Sequence, residues 1–248
     1  PRAKTHQGEP VLELKHLSRA GEFEDISFTL HRGEILGLTG LLGAGRTEIA
    51  HTIFGMTKPT SGEIYKDGQP LKLRSNRDAV RHKIACLSED RLHLGLVQNQ
   101  SINMNTAVTV LPTLEKPRFF LSPQRIKALT AGWIERLKTK VSDAELAVSS
   151  LSGGNQQRIA LAKWLATEPD VLILDCPTIG VDVGAKAGIF DIIRGLADQG
   201  VAILLISDEA GEIWMNTDRA LVLRDGRIAT EVTPSETTEE ALEEIINA

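Results

Sequence analysis

The part of this chain that most restricts its fold is residues 34–54, where an apolar run, a glycine-rich loop and a helix-patterned run follow one another without a break. Residues 34–39 read as a strand and residues 47–54 as a helix. Between them lies Gly40-Leu41-Leu42-Gly43-Ala44-Gly45-Arg46-Thr47, which fits G-x-x-x-x-G-[K]-[ST] except that Arg46 stands in place of the lysine. A strand that turns through such a loop into a helix is a building block of α/β folds. Unpaired N–H groups and the positive dipole end at a helix start attract phosphate, and a residue without Cβ lets the backbone approach it closely. The expected binding segment is therefore Gly40, Leu42, Gly43, Ala44, Gly45, Arg46, Thr47 and Glu48, with the amides of residues 42–47 around phosphate and the Thr47 hydroxyl on Mg2+. The competing reading is an ordinary glycine-rich turn.

A second glycine segment, Leu151-Ser152-Gly153-Gly154-Asn155-Gln156-Gln157, lies just ahead of a helix-patterned stretch over residues 158–166, with Ile159, Ala162, Leu165 and Ala166 on its apolar positions. It too offers a hydroxyl and glycine amides to an anion at a helix N-terminus. A third segment, Val171-Leu172-Ile173-Leu174-Asp175, reads as a strand buried on both faces of a parallel sheet. Its carboxylate stands at the strand's C-terminal end, where ligands bind in open α/β folds, so Asp175 is expected to orient Mg2+ through water. The alternative for Asp175 is an acidic cap on the turn at Pro177.

With 248 residues and 42% hydrophobic content the chain can bury a full core as one domain with a subdomain. A net charge of -5 speaks against nucleic-acid binding. The longest apolar runs, such as residues 201–206, fall far short of the roughly 20 residues that span a bilayer. Two cysteines, Cys86 and Cys176, are too few for a disulfide framework and suit the cytosol. The six histidines lack metal-ligand spacing. Asp67-Gly68 and Asp225-Gly226 each separate β-type runs and read as hairpin turns. Residues 98–149 change character, with a helical stretch over 123–141. Residues 170–207 alternate strand, helix and strand as a βαβ unit does, and residues 239–246 read as a closing acidic helix whose charges form a solvated face. Residues 1–10 read as a polar linker, and the lack of an initiating methionine suggests a piece of a longer protein.

Together the three segments resemble the nucleotide-binding domain of an ABC transporter. Ser88-Glu89-Asp90-Arg91, Gly95-Leu96-Val97, Gly43-Ala44-Gly45-Arg46-Thr47-Glu48, Ser152-Gly153-Gly154-Asn155-Gln156-Gln157 and Gly180-Val181-Asp182-Val183-Gly184-Ala185-Lys186 are similar to the C-terminal ATPase half of bacterial simple-sugar importers. The resemblance implies an α/β P-loop NTPase fold of the ABC type, with a mostly parallel core sheet, an N-terminal antiparallel β region and a helical subdomain. Residues 11–97 and 150–232 would form the ATPase core, 98–149 the helical subdomain that docks on membrane subunits, and 233–248 a C-terminal helix. It implies ATP and Mg2+ as cofactors. In such dimers each ATP is sandwiched between the phosphate loop of one half and the signature helix of the other. Ser152, Gly153, Gly154, Asn155 and Gln156 would then serve the partner's site, and Asp182 would lie in the dimer loop. Base stacking is left between Phe23, Arg19 and Ala20, with core packing as the more ordinary role of Phe23.

Several positions depart from the family's hydrolytic pattern. Cys176 stands where a glutamate polarises the attacking water. A thiol beside a carboxylate stays mostly protonated and makes a poor base. Loss of general-base help typically costs about 10²- to 10⁴-fold in rate. Asp208 stands where a histidine contacts the γ-phosphate, and its charge repels phosphate. Glu89 stands where a glutamine contacts magnesium and water. Arg46 keeps a positive charge in a planar fork that differs from a lysine ammonium. Ile179 replaces an arginine before Gly180-Val181-Asp182. The expectation is a domain that binds ATP, hydrolyses it poorly, and completes the site of a second ATPase half, the N-terminal half of the same polypeptide. Transmembrane permease subunits, a periplasmic sugar-binding protein and a place at the cytoplasmic face of the inner membrane follow from the resemblance. A non-catalytic, nucleotide-dependent dimerisation module is the alternative; a DNA-repair or translation ATPase fits the acidic balance less well.

Overall fold

The computed structural model describes residues 8–90, 95–116 and 120–248; most of the expected N-terminal linker, and Arg91, lie outside them. Two compact units emerge. The first takes the described residues up to Cys86 with Pro169–Cys176 and Ile193–Ala248; the second takes Leu87–Glu168 with Pro177–Ile192.

The first unit holds two sheets. Strands β1 (Pro10–Arg19), β2 (Phe23–His31), β4 (Ser61–Lys66) and β5 (Gln69–Leu71) form an antiparallel sheet in the order β2-β1-β4-β5. Pro10, expected in the linker, opens β1 and pairs with His31. From Ile26 onward along β2 inward residues (Ile26, Phe28 and Leu30) alternate with more exposed ones, as a sheet with one dry face requires. The second sheet runs β12 (Arg227–Val232), β11 (Arg219–Arg224), β3 (Ile35–Gly40), β10 (Ala202–Ile206), β9 (Val171–Asp175), β6 (Ile84–Leu87). Its β11-β3-β10-β9 core is parallel. Every residue of β3, β9 and β10 is buried, which is why their sequences are continuous apolar runs instead of alternating ones.

Both expected hairpin turns are present. Lys66 pairs with Gln69 and Arg224 with Arg227, leaving Asp67-Gly68 and Asp225-Gly226 as two-residue loops. All four turn residues have φ between 49° and 74°, the left-handed pair that a type I′ turn needs. Charge networks tie this unit together. The buried Lys66 ammonium donates to Asp67 and, at 3.0 Å, to Asp170, while Arg32 reaches the same two carboxylates at 3.1 and 3.4 Å. Arg219 joins Glu34, Glu231 and the Thr29 carbonyl, linking β11 to β12 and β2. Helices α1 (Arg46–Ile53), α2 (Asn76–Arg81), α7 (Ala210–Asn216) and α8 (Glu239–Asn247) complete the unit. On α8 the Thr238 hydroxyl caps the Ala241 amide, and Leu242 and Ile246, one turn apart, face inward.

The second unit is mainly helical: α3 (Ile102–Ala107), α4 (Pro123–Arg136), α5 (Gly153–Leu165) and the N-terminal part of α6 (Val183–Asp198), with a short hairpin of β7 (Glu115–Lys116) and β8 (Phe120–Leu121). The Asn105 side chain clamps one turn, accepting from the Val97 amide and donating to the carbonyls of Val97, Gln100 and Ser101. The helix expected over 123–141 stops at Arg136, because Lys138 takes φ 51° and breaks the helical path.

Candidate functional site

In the first unit the strand–loop–helix segment has the expected form, with its boundaries moved by one residue: β3 ends at Gly40 and α1 begins at Arg46. Three glycines carry left-handed backbone, Gly40 at φ 150°, Gly43 at 81° and Gly45 at 100°. A Cβ on Gly40 would lie 2.4 Å from the Leu223 carbonyl oxygen, and one on Gly45 3.0 Å from that of Glu22. A Cβ on Gly43 would meet nothing, so that glycine is needed for conformation alone. The loop is stapled to the β11–β12 turn, since the Gly226 amide donates to the Ala44 carbonyl at 3.2 Å and the Glu24 amide to the Gly226 carbonyl at 2.7 Å.

The first intrahelical bond of α1 runs from the Ile49 amide to the Gly45 carbonyl, so the amides of Arg46, Thr47 and Glu48 have no acceptor within the helix. Leu41, Leu42 and Gly43 are exposed, Ala44 and Gly45 buried, Thr47 and Glu48 half-buried. Arg46 is only 7% exposed, and its buried Nη1 has no hydrogen-bond partner among the described residues. A buried guanidinium nitrogen left unmatched, together with three helix-start amides, fits an anionic oxygen and hence a bound phosphate. The donor set therefore suits the nucleotide expected from sequence, and Thr47 and Asp175 are oxygen donors of the kind Mg2+ takes.

The parallel register brings further residues to the same sheet edge. Asp175 pairs with Ile206, and Ile206 with Leu38, so the end of β9 lies two strands, about 10 Å, from the strand that feeds the loop. Asp175 is 1% exposed. Cys176 extends the ladder through its amide to the Ile206 carbonyl at 3.0 Å, yet turns out of the strand at φ 46°. That left-handed conformation costs a non-glycine residue about 1–2 kcal/mol. Asp208 is exposed, two residues past β10. The turn it belongs to is built on the Ser207 hydroxyl, which accepts from the Glu209 amide at 3.1 Å and donates to the buried Glu212 at 2.7 Å.

Beside the loop is a cleft of about 530 Å³ whose walls include Arg19, Ala20, Glu22, Gly43, Thr60 and Asp225. Phe23 also borders it but is 3% exposed, which gives the ring to the core. Arg19 is held in place, its Nε donating to Glu22 at 2.6 Å and its Nη1 to the Lys58 carbonyl at 3.1 Å. Nothing in the sequence marks Thr60 as a cleft residue, and Asp225 is marked only as part of the Asp225-Gly226 turn.

In the second unit α5 begins at Gly153, five residues before the expected start. Asn155, Gln156 and Gln157 are thus helical. Ser152 occupies the N-cap position but its hydroxyl accepts from the Asn155 side chain at 2.9 Å and caps no backbone amide. Asn155 also accepts from the Lys140 amide at 3.0 Å. At Gly154 a Cβ would lie 2.8 Å from the Ala185 Cβ, so close packing also calls for a glycine there. Gln156 is buried and donates to the Leu151 carbonyl at 3.0 Å, bracing its own loop. Asp182 is exposed and accepts from the Ala185 amide at 3.0 Å, which caps α6. Glu89 is exposed, two residues past β6.

The ABC transporter profile matches residues 23–179. The chain is 42% identical over 228 residues to the ribose import ATP-binding protein RbsA of Geobacillus kaustophilus, covering 92% of this chain and 46% of that protein. It is 44% identical over 243 residues to RbsA of Rhodococcus jostii, covering 98% and 48%. The chain thus spans about half the length of the curated relatives it matches. Among solved structures, a nucleotide-free ATP-binding cassette from an ABC transporter superposes with a TM-score of 0.79 at 19% identity, covering 97% of this chain and 96% of that one. A dimeric ATP-binding cassette bound to ADP and Pi superposes with a TM-score of 0.77 at 21% identity, covering 90% and 98%. Those two likenesses establish the fold, while the profile and the relatives establish that this chain is an ATPase domain of the ABC transporter family.

Proposed function

We propose that this chain is the second ATPase half of a sugar importer, binding ATP and Mg2+ at its own phosphate loop while turning it over slowly. The observation that carries the reading is the pairing of a loop fit for phosphate, with Arg46 Nη1 unmatched among the described residues, and Cys176 directly after the buried Asp175. The amides of residues 42–47 and the Arg46 fork would hold the phosphates; Thr47 and Asp175 would hold Mg2+, which screens phosphate charge when bound. A thiol at position 176 supplies no strong base, and the exposed Asp208 carboxylate supplies no donor to phosphate. Glu89 replaces an amide by an acceptor-only group.

The outward hydroxyl of Ser152 and the first-turn amides of α5 at Gly153 and Gly154 would complete the ATP site of a partner half, with Asn155 and Gln156 bracing them. Asp182 would lie on the same face. Match to only half the length of its relatives supports a partner half in the same polypeptide. Residues 98–149 would meet the permease subunits at the cytoplasmic face of the membrane, and a periplasmic sugar-binding protein would deliver the substrate. No helix among the described residues is long and apolar enough to cross a membrane.

ATP hydrolysis by the chain alone, and after addition of the other half, tests this reading. The chain alone is expected to be about 10²- to 10⁴-fold slower than the pair, as loss of a general base predicts. Cys176→Glu should raise turnover at this site, and Ser152→Arg should stop turnover at the partner's. Fast Mg2+-dependent hydrolysis by the unaltered chain alone would refute it. Turnover unchanged by Ser152→Arg in the full protein would leave only the nucleotide-dependent dimerisation role.

A further inference from the structure

We infer that the pocket between the C-terminal end of α1 and the β4–β5 hairpin is a second ligand site, for a small amphipathic carboxylate, coupled to the cleft beside the phosphate loop. The pocket has a volume of about 260 Å³, and all of it belongs to the first unit. Its floor is apolar: Ile64 and Leu71 are buried and Leu73 half-buried. On the α1 side the Thr52 hydroxyl is already committed, donating to the Glu48 carbonyl at 2.9 Å and bonding the Thr57 hydroxyl at 2.8 Å. The wall therefore makes no strong polar demand on an occupant.

The rim is different. Lys58 and Lys72 are both exposed, and neither forms an ion pair among the described residues. The one carboxylate of the rim, Glu63, is engaged by the Tyr65 hydroxyl at 2.7 Å. An apolar floor below two free ammonium groups selects a ligand with an apolar body and one anionic end. At this volume, below the usual ligand-pocket range of about 300–1,000 Å³, the body is a single ring or a short aliphatic chain. A fully charged phosphate would leave the floor unused.

The same chain segment walls both cavities. Thr57, Lys58, Pro59, Gly62 and Glu63 line this pocket, and Thr60 and Ser61 line the cleft beside Gly43. Across that segment Arg19 donates to the Lys58 carbonyl, the Ala20 amide donates to the Thr60 hydroxyl at 2.8 Å, and the Thr60 amide donates to the Ser18 carbonyl at 2.7 Å. A ligand on Lys58 thus bears on Arg19 through a single carbonyl. This coupling rests on the cleft's being part of the nucleotide site; the binding itself does not.

Methyl-detected NMR of the chain without nucleotide, titrated with benzoate, tests the site. Saturable shifts are expected at the methyls of Ile64, Leu71 and Leu73, with a Kd of about 1 mM for so small a ligand. Benzyl alcohol, which keeps the ring and lacks the charge, should bind about 10-fold more weakly, and the Lys58→Glu/Lys72→Glu variant should lose about 10-fold for benzoate. Both lysines are exposed, so the fold survives the exchange. No saturable shift up to about 10 mM benzoate, equal binding of the alcohol, or an unaffected double variant would each overturn the site. Repeating the titration with ADP bound should change the benzoate affinity by about 5-fold, with a reciprocal change for ADP. Benzoate binding that ignores bound ADP would remove the coupling. Benzoate binding by a chain that takes up no ADP would instead count against the nucleotide reading of the cleft.

Discussion

The two glycine-rich helix starts look alike in sequence and differ in physics. Before α1, glycines at φ 150°, 81° and 100° bend the backbone into a loop that no other residue type adopts without cost. Before α5, the chain enters the helix directly: Gly153 and Gly154 are helical, and Gly154 is small because Ala185 packs against it. The first segment is curved so that its own loop could surround an anion, while the second is a straight helix end. A loop can surround a ligand alone. A straight helix end would need another surface opposite it to enclose one, which is the geometric reason the second segment suits the shared site proposed above.

The sharpest way to break this comparison is to add one methyl group at each start. Gly40→Ala places a Cβ 2.4 Å from the Leu223 carbonyl in a left-handed conformation. It should cost about 3 kcal/mol or more and abolish nucleotide binding by this chain, as a shift in the unfolding midpoint and an ATP titration would show. Gly154→Ala gains helix propensity of about 1 kcal/mol but meets Ala185 at 2.8 Å. Its net destabilisation should be about 1 kcal/mol, with nucleotide binding by this chain unchanged. Equal loss of nucleotide binding in both variants would contradict the assignment of the first loop alone to the chain's own site.

Much of this was legible in the sequence, for reasons that show where reading stops. The runs at β3, β9 and β10 announced a buried parallel sheet because burial on both faces leaves no room for polar alternation. Asp67-Gly68 and Asp225-Gly226 announced their turns because few other pairs accept two left-handed residues. The start of α5 is hard to read because Ser152 to Gln157 is polar and glycine-containing, and the tight packing of Gly154 beside Ala185 leaves no periodic apolar signal. Gln156 is buried and donates to the Leu151 carbonyl, a bracing contact that its residue type alone does not announce. The left-handed Cys176 leaves no trace in composition, since neither Asp175 nor Pro177 demands it.

Within the first unit, the charge network at Asp170 gives a smaller and pH-dependent effect. Burial alone would raise the Asp170 carboxyl, but the hydrogen bond and charge of Lys66, with Arg32, outweigh it and hold the group below its ordinary range. A depressed carboxylate contributes stability above its ordinary pKa of 3.8 and loses it as pH falls through the lower folded value. Because the Asp170 side chain is 35% exposed, solvent screening should keep the contribution near or below about 1 kcal/mol. Unfolding midpoints of the unaltered chain and Asp170→Asn should therefore differ most above pH of about 4 and converge below it. A gap that persists in acid would assign the effect to packing.

The smallest expected effect discriminates most finely between the helix starts. Ser152 stands at an N-cap position, where loss of a serine side chain ordinarily costs about 1 kcal/mol. Its hydroxyl instead meets the Asn155 side chain and caps no amide, so Ser152→Ala should cost less than about 0.5 kcal/mol. Thr238→Ala at α8, where the hydroxyl does accept from the Ala241 amide at 3.2 Å, should cost about 1 kcal/mol and serves as the reference. Side-by-side unfolding midpoints measure the difference. A hydroxyl that does so little for its own helix, yet stands exposed at the helix start, is available to a ligand brought by another surface. If Ser152→Ala proves as costly as Thr238→Ala, that freedom is gone, and Ser152 becomes an ordinary cap.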